Sequence, residues 1–176
     1  SEGLRAQTTA HRLYALRGDQ RGQAQSLSDI GTVHVLQGRY AEGLSHLEQA
    51  LQLTEKLGDD QYVAIILNNI GEVHRLQGRY AEALSYFDRS LRLADRLGHE
   101  PGQALALHNI GNVHGAQGRF AEALSYYDRS LRLREKLGDE PGQAGSLNNI
   151  GEMYRSTRRY TQAFEERARS VAAAVA

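Results

Sequence analysis

The 176-residue chain has no cysteine, no tryptophan, one methionine and only two prolines. Without cysteine there is no disulfide, no thiol chemistry and no cysteine metal site. Net charge is missing too, because 21 basic residues balance 21 acidic ones. That argues against a dedicated nucleic-acid binder, whose surface must neutralise phosphates. No apolar run approaches the ~18 residues of a membrane span, and no basic, apolar, small-residue order marks a signal peptide. β-alternation is absent. Forty per cent of residues are hydrophobic and 24% are charged, which suits a soluble domain, with the cytoplasm as the expected location.

What is present is a repeat. Ile30-Gly31, Ile70-Gly71, Ile110-Gly111 and Ile150-Gly151 recur every 40 residues, as do Gln37-Gly38-Arg39, Gln77-Gly78-Arg79 and Gln117-Gly118-Arg119. Numbering units from Ala24, Ala64, Ala104 and Ala144 gives a half unit at 1–23, full units at 24–63, 64–103 and 104–143, and a truncated unit at 144–176. Units two and three are identical at 28 of 40 positions. Glu2-Gly3-Leu4 falls in phase with Glu42-Gly43-Leu44, so the expectation is a single array excised from a longer chain.

Each unit reads as two helices. Pro101 and Pro141 suit a first helical turn, and glycines at repeat positions 15 and 35 suit helix ends that need the left-handed conformation. An all-α array of about nine helices follows: 1–17, 21–37, 40–57, 61–77, 80–97, 101–117, 120–137, 141–157 and 160–175. At 100° per residue, first-helix positions 4, 7, 8 and 11 share one face, and glycine at position 8 lets the second helix approach closely. The second helix is apolar over half its girth (Tyr80, Ala83, Leu84, Phe87, Leu91 and Ala94 in unit two). So wide an apolar face requires more than one neighbour, as in a stack of units. Asp128 and Arg132, four residues apart, are placed to pair across a turn.

Leu-x-x-Ile-Gly-x-x-His/Tyr followed by Gly-x-Tyr/Phe-x-x-Ala-x-x-x-Phe/Tyr resembles the tetratricopeptide repeat (TPR). The 40-residue spacing and the Leu-Gly-Asp ending are similar to its longer variant, found in kinesin light chain, spindle-orientation adaptors and bacterial regulatory proteins. The resemblance covers the whole chain. It departs where His34, His74 and His114 replace the usual tyrosine, where Gly43 replaces alanine, and where Arg158 replaces the turn glycine. It implies a right-handed α-solenoid whose inner surface is built by the first helices.

Positions 2, 5, 6, 9, 12 and 13 fall in one 120° arc opposite the packed face and are therefore the groove candidates. Five of these six differ between units two and three. Position 6 does not: it carries Asn69, Asn109 and Asn149, with Asp29 in unit one. An asparagine amide matches the C=O and N–H of a peptide backbone, and resemblance to the spindle adaptors points to that use. The alternative is a hydrogen bond to a neighbouring helix, and both readings stand. Beside this row unit two offers Asn68, Glu72 and Arg75, unit three His108 and Asn112 with Gly115 and Ala116 leaving space, and unit four Asn148, Glu152 and Arg155. Glu72 with Arg75, and Glu152 with Arg155, are also spaced to pair with each other. The lysine-rich carboxylate clamp of the family's chaperone-tail binders has no counterpart, since Lys56 and Lys136 both lie on second helices.

His34, His74 and His114 are in step, but equivalent residues of adjacent repeats stand ~8–10 Å apart, too far to share one metal ion. They read as buried packing residues. No strand precedes a glycine-rich loop and no nucleophile, base and orienter set is spaced for catalysis, so neither enzymatic activity nor a cofactor is expected. Nineteen arginines against two lysines suit a GC-rich, bacterial genome. Net charge runs from −4 over 24–63 to +2 over 144–176, a gradient that orients a charged partner. The leading expectation is a protein-interaction module of a regulatory or scaffolding protein, binding an extended or helical peptide in its concave groove. A sensor of a signalling peptide or small effector, controlling a linked DNA-binding or ATPase domain, is one rival, and a structural spacer is another. Leu4, Leu13 and Leu16 at one end and Phe164, Val171 and Val175 at the other suggest end-to-end self-association.

Overall fold

A computed structural model describes the backbone from residue 2 to 175 and the side chains of residues 3–159 and 161. Eight helices follow one another: α1 (Glu2–Leu16), α2 (Gln20–Leu36), α3 (Tyr40–Leu57), α4 (Asp60–Leu76), α5 (Tyr80–Leu97), α6 (Glu100–Ala116), α7 (Phe120–Leu137) and α8 (Glu140–Val175). Each packs on the next, and the even-numbered first helices also touch one another, α2 with α4 and α4 with α6. The result is a stack of helix pairs in which every interior unit buries its neighbour's apolar surface.

Local chemistry sets the joints. Seven glycines, from Gly18 to Gly138, hold φ between 62° and 74°, the left-handed region that a Cβ disfavours. After α2, Arg39 N–H donates to the His34 carbonyl at 2.9 Å and Gly38 N–H to that of Val35 at 2.9 Å, which satisfies the orphan carbonyls of the last turn. The aspartate that follows three of these glycines caps the next helix: Asp19 accepts from Gly22 N–H at 2.9 Å, Asp59 from Tyr62 N–H at 3.2 Å and Asp139 from Gly142 N–H at 3.0 Å. Before α6 His99 takes that place, its Nδ1 accepting from Gly102 N–H at 3.1 Å.

The last expected joint does not form. Helices expected at 141–157 and 160–175 are one continuous helix, α8, so there are eight and not nine. Arg158 stands where the other units carry Gly38, Gly78 and Gly118, and a left-handed turn costs an L-residue about 1–2 kcal/mol. Continuing the helix avoids that cost. Consequently Leu147 and Tyr154, whose equivalents pack beneath a second helix, are 55% and 63% exposed.

The core lies between paired helices and between units. Phe87 and Tyr127 are buried where they cross Gly71 and Gly111. A Cβ on either glycine would stand 2.7 Å from the facing ring, so position 8 admits only glycine at this helix separation. The departure at Gly43 has the same cause, since a Cβ there would meet the Val35 side chain at 2.6 Å. Ser90 and Ser130, both buried, donate to the carbonyls of Ala64 and Ala104 at 2.8 and 2.7 Å and so tie each second helix to its own first helix. Leu13 and Leu16 of α1 are exposed, whereas Phe164, Val171 and Val175 lie outside the described side chains.

Candidate functional site

The candidate surface is the face of α2, α4, α6 and α8 that points away from the second helices. Its asparagine row divides. Asn109 Nδ2 donates to Asn68 Oδ1 at 3.0 Å, and Asn149 Nδ2 donates to Asn112 Oδ1 at 3.0 Å. The Tyr127 hydroxyl also donates to Asn112 Oδ1, at 2.9 Å. Asn149 Nδ2 lies 3.3 Å from His108 Nε2, which makes that nitrogen the acceptor and His108 a neutral ring. These groups stitch α4 to α6 and α6 to α8. Asn69 differs: it is partly exposed and has no side-chain hydrogen bond among the described residues.

Other expected groove residues sort in the same way. Asn68, expected in the open groove, is buried in the seam between α4 and α6. Position 5 faces the next first helix, which is why Asn68 and His108 are drawn inward. His108 tilts against Tyr127 with centroids 5.4 Å apart. Burial first, then the Arg134 charge, pushes its pKa down to about 4. Glu72 accepts two hydrogen bonds from Arg75, at 2.7 and 2.6 Å, and Glu152 pairs with Arg155. Asn148 is exposed on α8. The space expected at Gly115 is taken by Met153, whose Sδ would sit 3.1 Å from a Cβ there.

The residues that stand open are aliphatic. Leu36 is 81% exposed, and Ile65, Leu76 and Leu105 are each 40% or more. All four occupy positions 2 or 13, which point the same way. Between α2 and α4 a cleft of about 180 Å³ is lined by Thr32, Val35, Leu36, Asn69, Glu72 and Leu76, with Leu47 and Val73 as its floor. Its aliphatic walls come from positions 12 and 13 of unit one, Val35 and Leu36, and from position 13 of unit two, Leu76.

His34, His74 and His114 stack flat on second-helix rings: His34 on His46, His74 on Tyr86 and His114 on Tyr126, at 5.1–5.2 Å. Each Nδ1 is buried without a hydrogen bond. Burial, followed by the charge of Arg39, Arg79 or Arg119, lowers all three pKa values. These rings pack. Among the described residues no group of three His, Asp or Glu side chains is arranged to hold a metal ion. No helix among them is long and apolar enough to cross a membrane.

Stacked helix pairs with an open, partly apolar first-helix face define a helical-repeat array of the protein-binding kind. The tetratricopeptide repeat model matches residues 22–96, 62–136 and 102–174, and the chain belongs to that family, whose members are generally protein-interaction modules. Among curated proteins none matches. Among solved structures, BtubC (BKLC) from P. vanneervenii is similar over 98% of this chain and 74% of its own, with a TM-score of 0.76 at 20% identity. Aspartyl phosphate phosphatase F from Bacillus subtilis is similar over 93% of this chain, which spans only 44% of the phosphatase, with a TM-score of 0.78 at 19% identity. Nearly identical TPR-like repeats of a kinesin-light-chain-like protein from Podosopora anserina match with a TM-score of 0.64 at 15% identity, over 96% of this chain and 93% of that one. At these identities the likeness concerns the fold.

Proposed function

We propose that the chain is a protein-interaction module that holds a peptide segment against its first-helix face and performs no chemistry of its own. One observation carries this reading: Leu36, Ile65, Leu76 and Leu105 stand exposed along one face, although a leucine gains about 1.5–3 kcal/mol from full burial. A row of exposed aliphatic side chains is a surface that a partner covers. A spacer needs no such row.

The test is selection of peptides from a displayed random library against the whole chain. Binding lost on Leu36→Asp and Leu76→Asp, and retained on Arg92→Glu of the exposed α5 face, is the expected outcome. Selected peptides that respond only to Arg92→Glu contradict the reading.

A further inference from the structure

Positions 2 to 13 of the four first helices carry three carboxylates and two guanidinium groups: Asp29, Glu72, Arg75, Glu152 and Arg155. Four of the five are spent on each other. Arg75 donates twice to Glu72, and Arg155 pairs with Glu152. Asp29 on α2 is the exception. It is partly buried, and among the described residues it has neither a hydrogen bond nor an ion pair. Burial raises its pKa, and no neighbouring charge offsets that rise. The fold does not ask for this charge, because the other units carry the nearly isosteric asparagine at the same position, as Asn69, Asn109 and Asn149. A carboxylate drawn partly out of water without a partner costs stability, so a counter-charge from outside would be met favourably.

Asp29 also stands beside the open cleft. Thr32 and Leu36, which line the α2 wall, lie three and seven residues further along the same stripe of α2. At 1.5 Å per residue the offsets are about 4.5 and 10 Å along the helix axis. We infer that the peptide held on this face carries a basic side chain, Lys or Arg, that pairs with Asp29 while an aliphatic side chain of the same segment fills the cleft between α2 and α4. The inference rests on the groove reading proposed above and names the charge of its ligand. At about 3.3 Å per extended residue, the two ligand side chains stand about two or three residues apart. Residues 24–63 carry a net charge of −4, so a basic segment is also drawn towards this end of the array. Acidic segments meet a carboxylate that has no counter-charge and are rejected.

The experiment is the same displayed library, selected against the whole chain and again against Asp29→Asn and Asp29→Lys, with affinities measured on synthetic copies of the enriched peptides. Asp29→Asn installs the residue of the other units, so the fold is retained. The parent chain should enrich Lys or Arg about two or three residues from Leu, Ile, Val or Met. Kd should rise about tenfold on Asp29→Asn, as for loss of a hydrogen bond to a charged group, and Asp29→Lys should select Asp or Glu in place of the basic residue. Leu36→Asn, which leaves the charge of the face unchanged, should weaken the same peptides about tenfold through lost apolar burial. Peptides weakened by Leu36→Asn yet indifferent to Asp29→Asn overturn the inference and leave the groove reading standing, as does an unchanged selection on Asp29→Lys. No enrichment at all, or enriched peptides indifferent to both Leu36→Asn and Leu76→Asn, overturns the groove reading and the inference with it.

Discussion

Gly111→Ala adds one methyl group at the close crossing of α6 and α7. The new Cβ would lie 2.7 Å from Cε1 and 2.8 Å from Cδ1 of Tyr127. That ring is almost wholly buried, and its hydroxyl is held by Asn112 at 2.9 Å. It cannot retreat without losing either packing or that bond. Overpacking costs about 1–3 kcal/mol, and this tethered ring belongs near the upper end. Alanine returns about 1 kcal/mol of helix propensity, leaving a net loss of about 2 kcal/mol. With a urea dependence of about 2 kcal/mol per molar, the midpoint should fall by about 1 M. Gly151→Ala is the matched control. It occupies the same repeat position on α8, where nothing among the described residues stands within 4 Å, so only the propensity gain applies and its midpoint should rise by about 0.5 M. Both are read by circular dichroism at 222 nm. A Gly111→Ala midpoint at or above that of the parent would refute the claim that helix separation is set by this glycine.

Acid should destabilise the array through its histidines. The folded pKa values of His34, His74, His114 and His108 lie below the ordinary 6.5, so the stability they confer is complete above that value. It is lost as pH falls through the folded values. The melting temperature should drop between pH 6.5 and 4, and His108→Asn, the residue of units two and four, should lessen the drop; a flat profile contradicts this. His99→Asp installs the cap used by the other units and should stabilise by about 0.5–1 kcal/mol, whereas a loss on thermal melting would show that the imidazole cap is the better fit. Asn109→Ala removes the donor to buried Asn68 and should cost about 1–2 kcal/mol, while Asn69→Ala should leave the melt unchanged; equal effects would deny the division of the asparagine row.

The fold was legible because its causes are local and periodic. The glycine joints, the apolar second-helix stripe and position-8 glycine each follow from residue type at fixed spacing. The break expected at 158 failed for an equally local reason, since Arg158 lacks the freedom of Gly118. The groove was only half legible. Helical phase placed positions 2, 5, 6, 9, 12 and 13 on one arc, but it does not say how far the next helix overlaps that arc. Position 5 falls under the overlap, and Asn68 and His108 become seam residues. Position 6 of one unit reaches position 5 of the unit before it, which occupies Asn109 but not Asn69, because the preceding partner is Ser28. The cleft between Leu36 and Leu76 depends on the separation of α2 and α4, a tertiary distance without a sequence signature.

The most direct measurement of the central claim is methyl-resolved NMR of the whole chain, with Leu, Val and Ile methyls labelled, during titration with a peptide enriched from the library. The account predicts that the methyls of Val35, Leu36 and Leu76 shift most and saturate together at the Kd measured independently. Shifts confined to Leu97 and Leu137, at the ends of α5 and α7, with the α2 and α4 methyls unmoved, would contradict it.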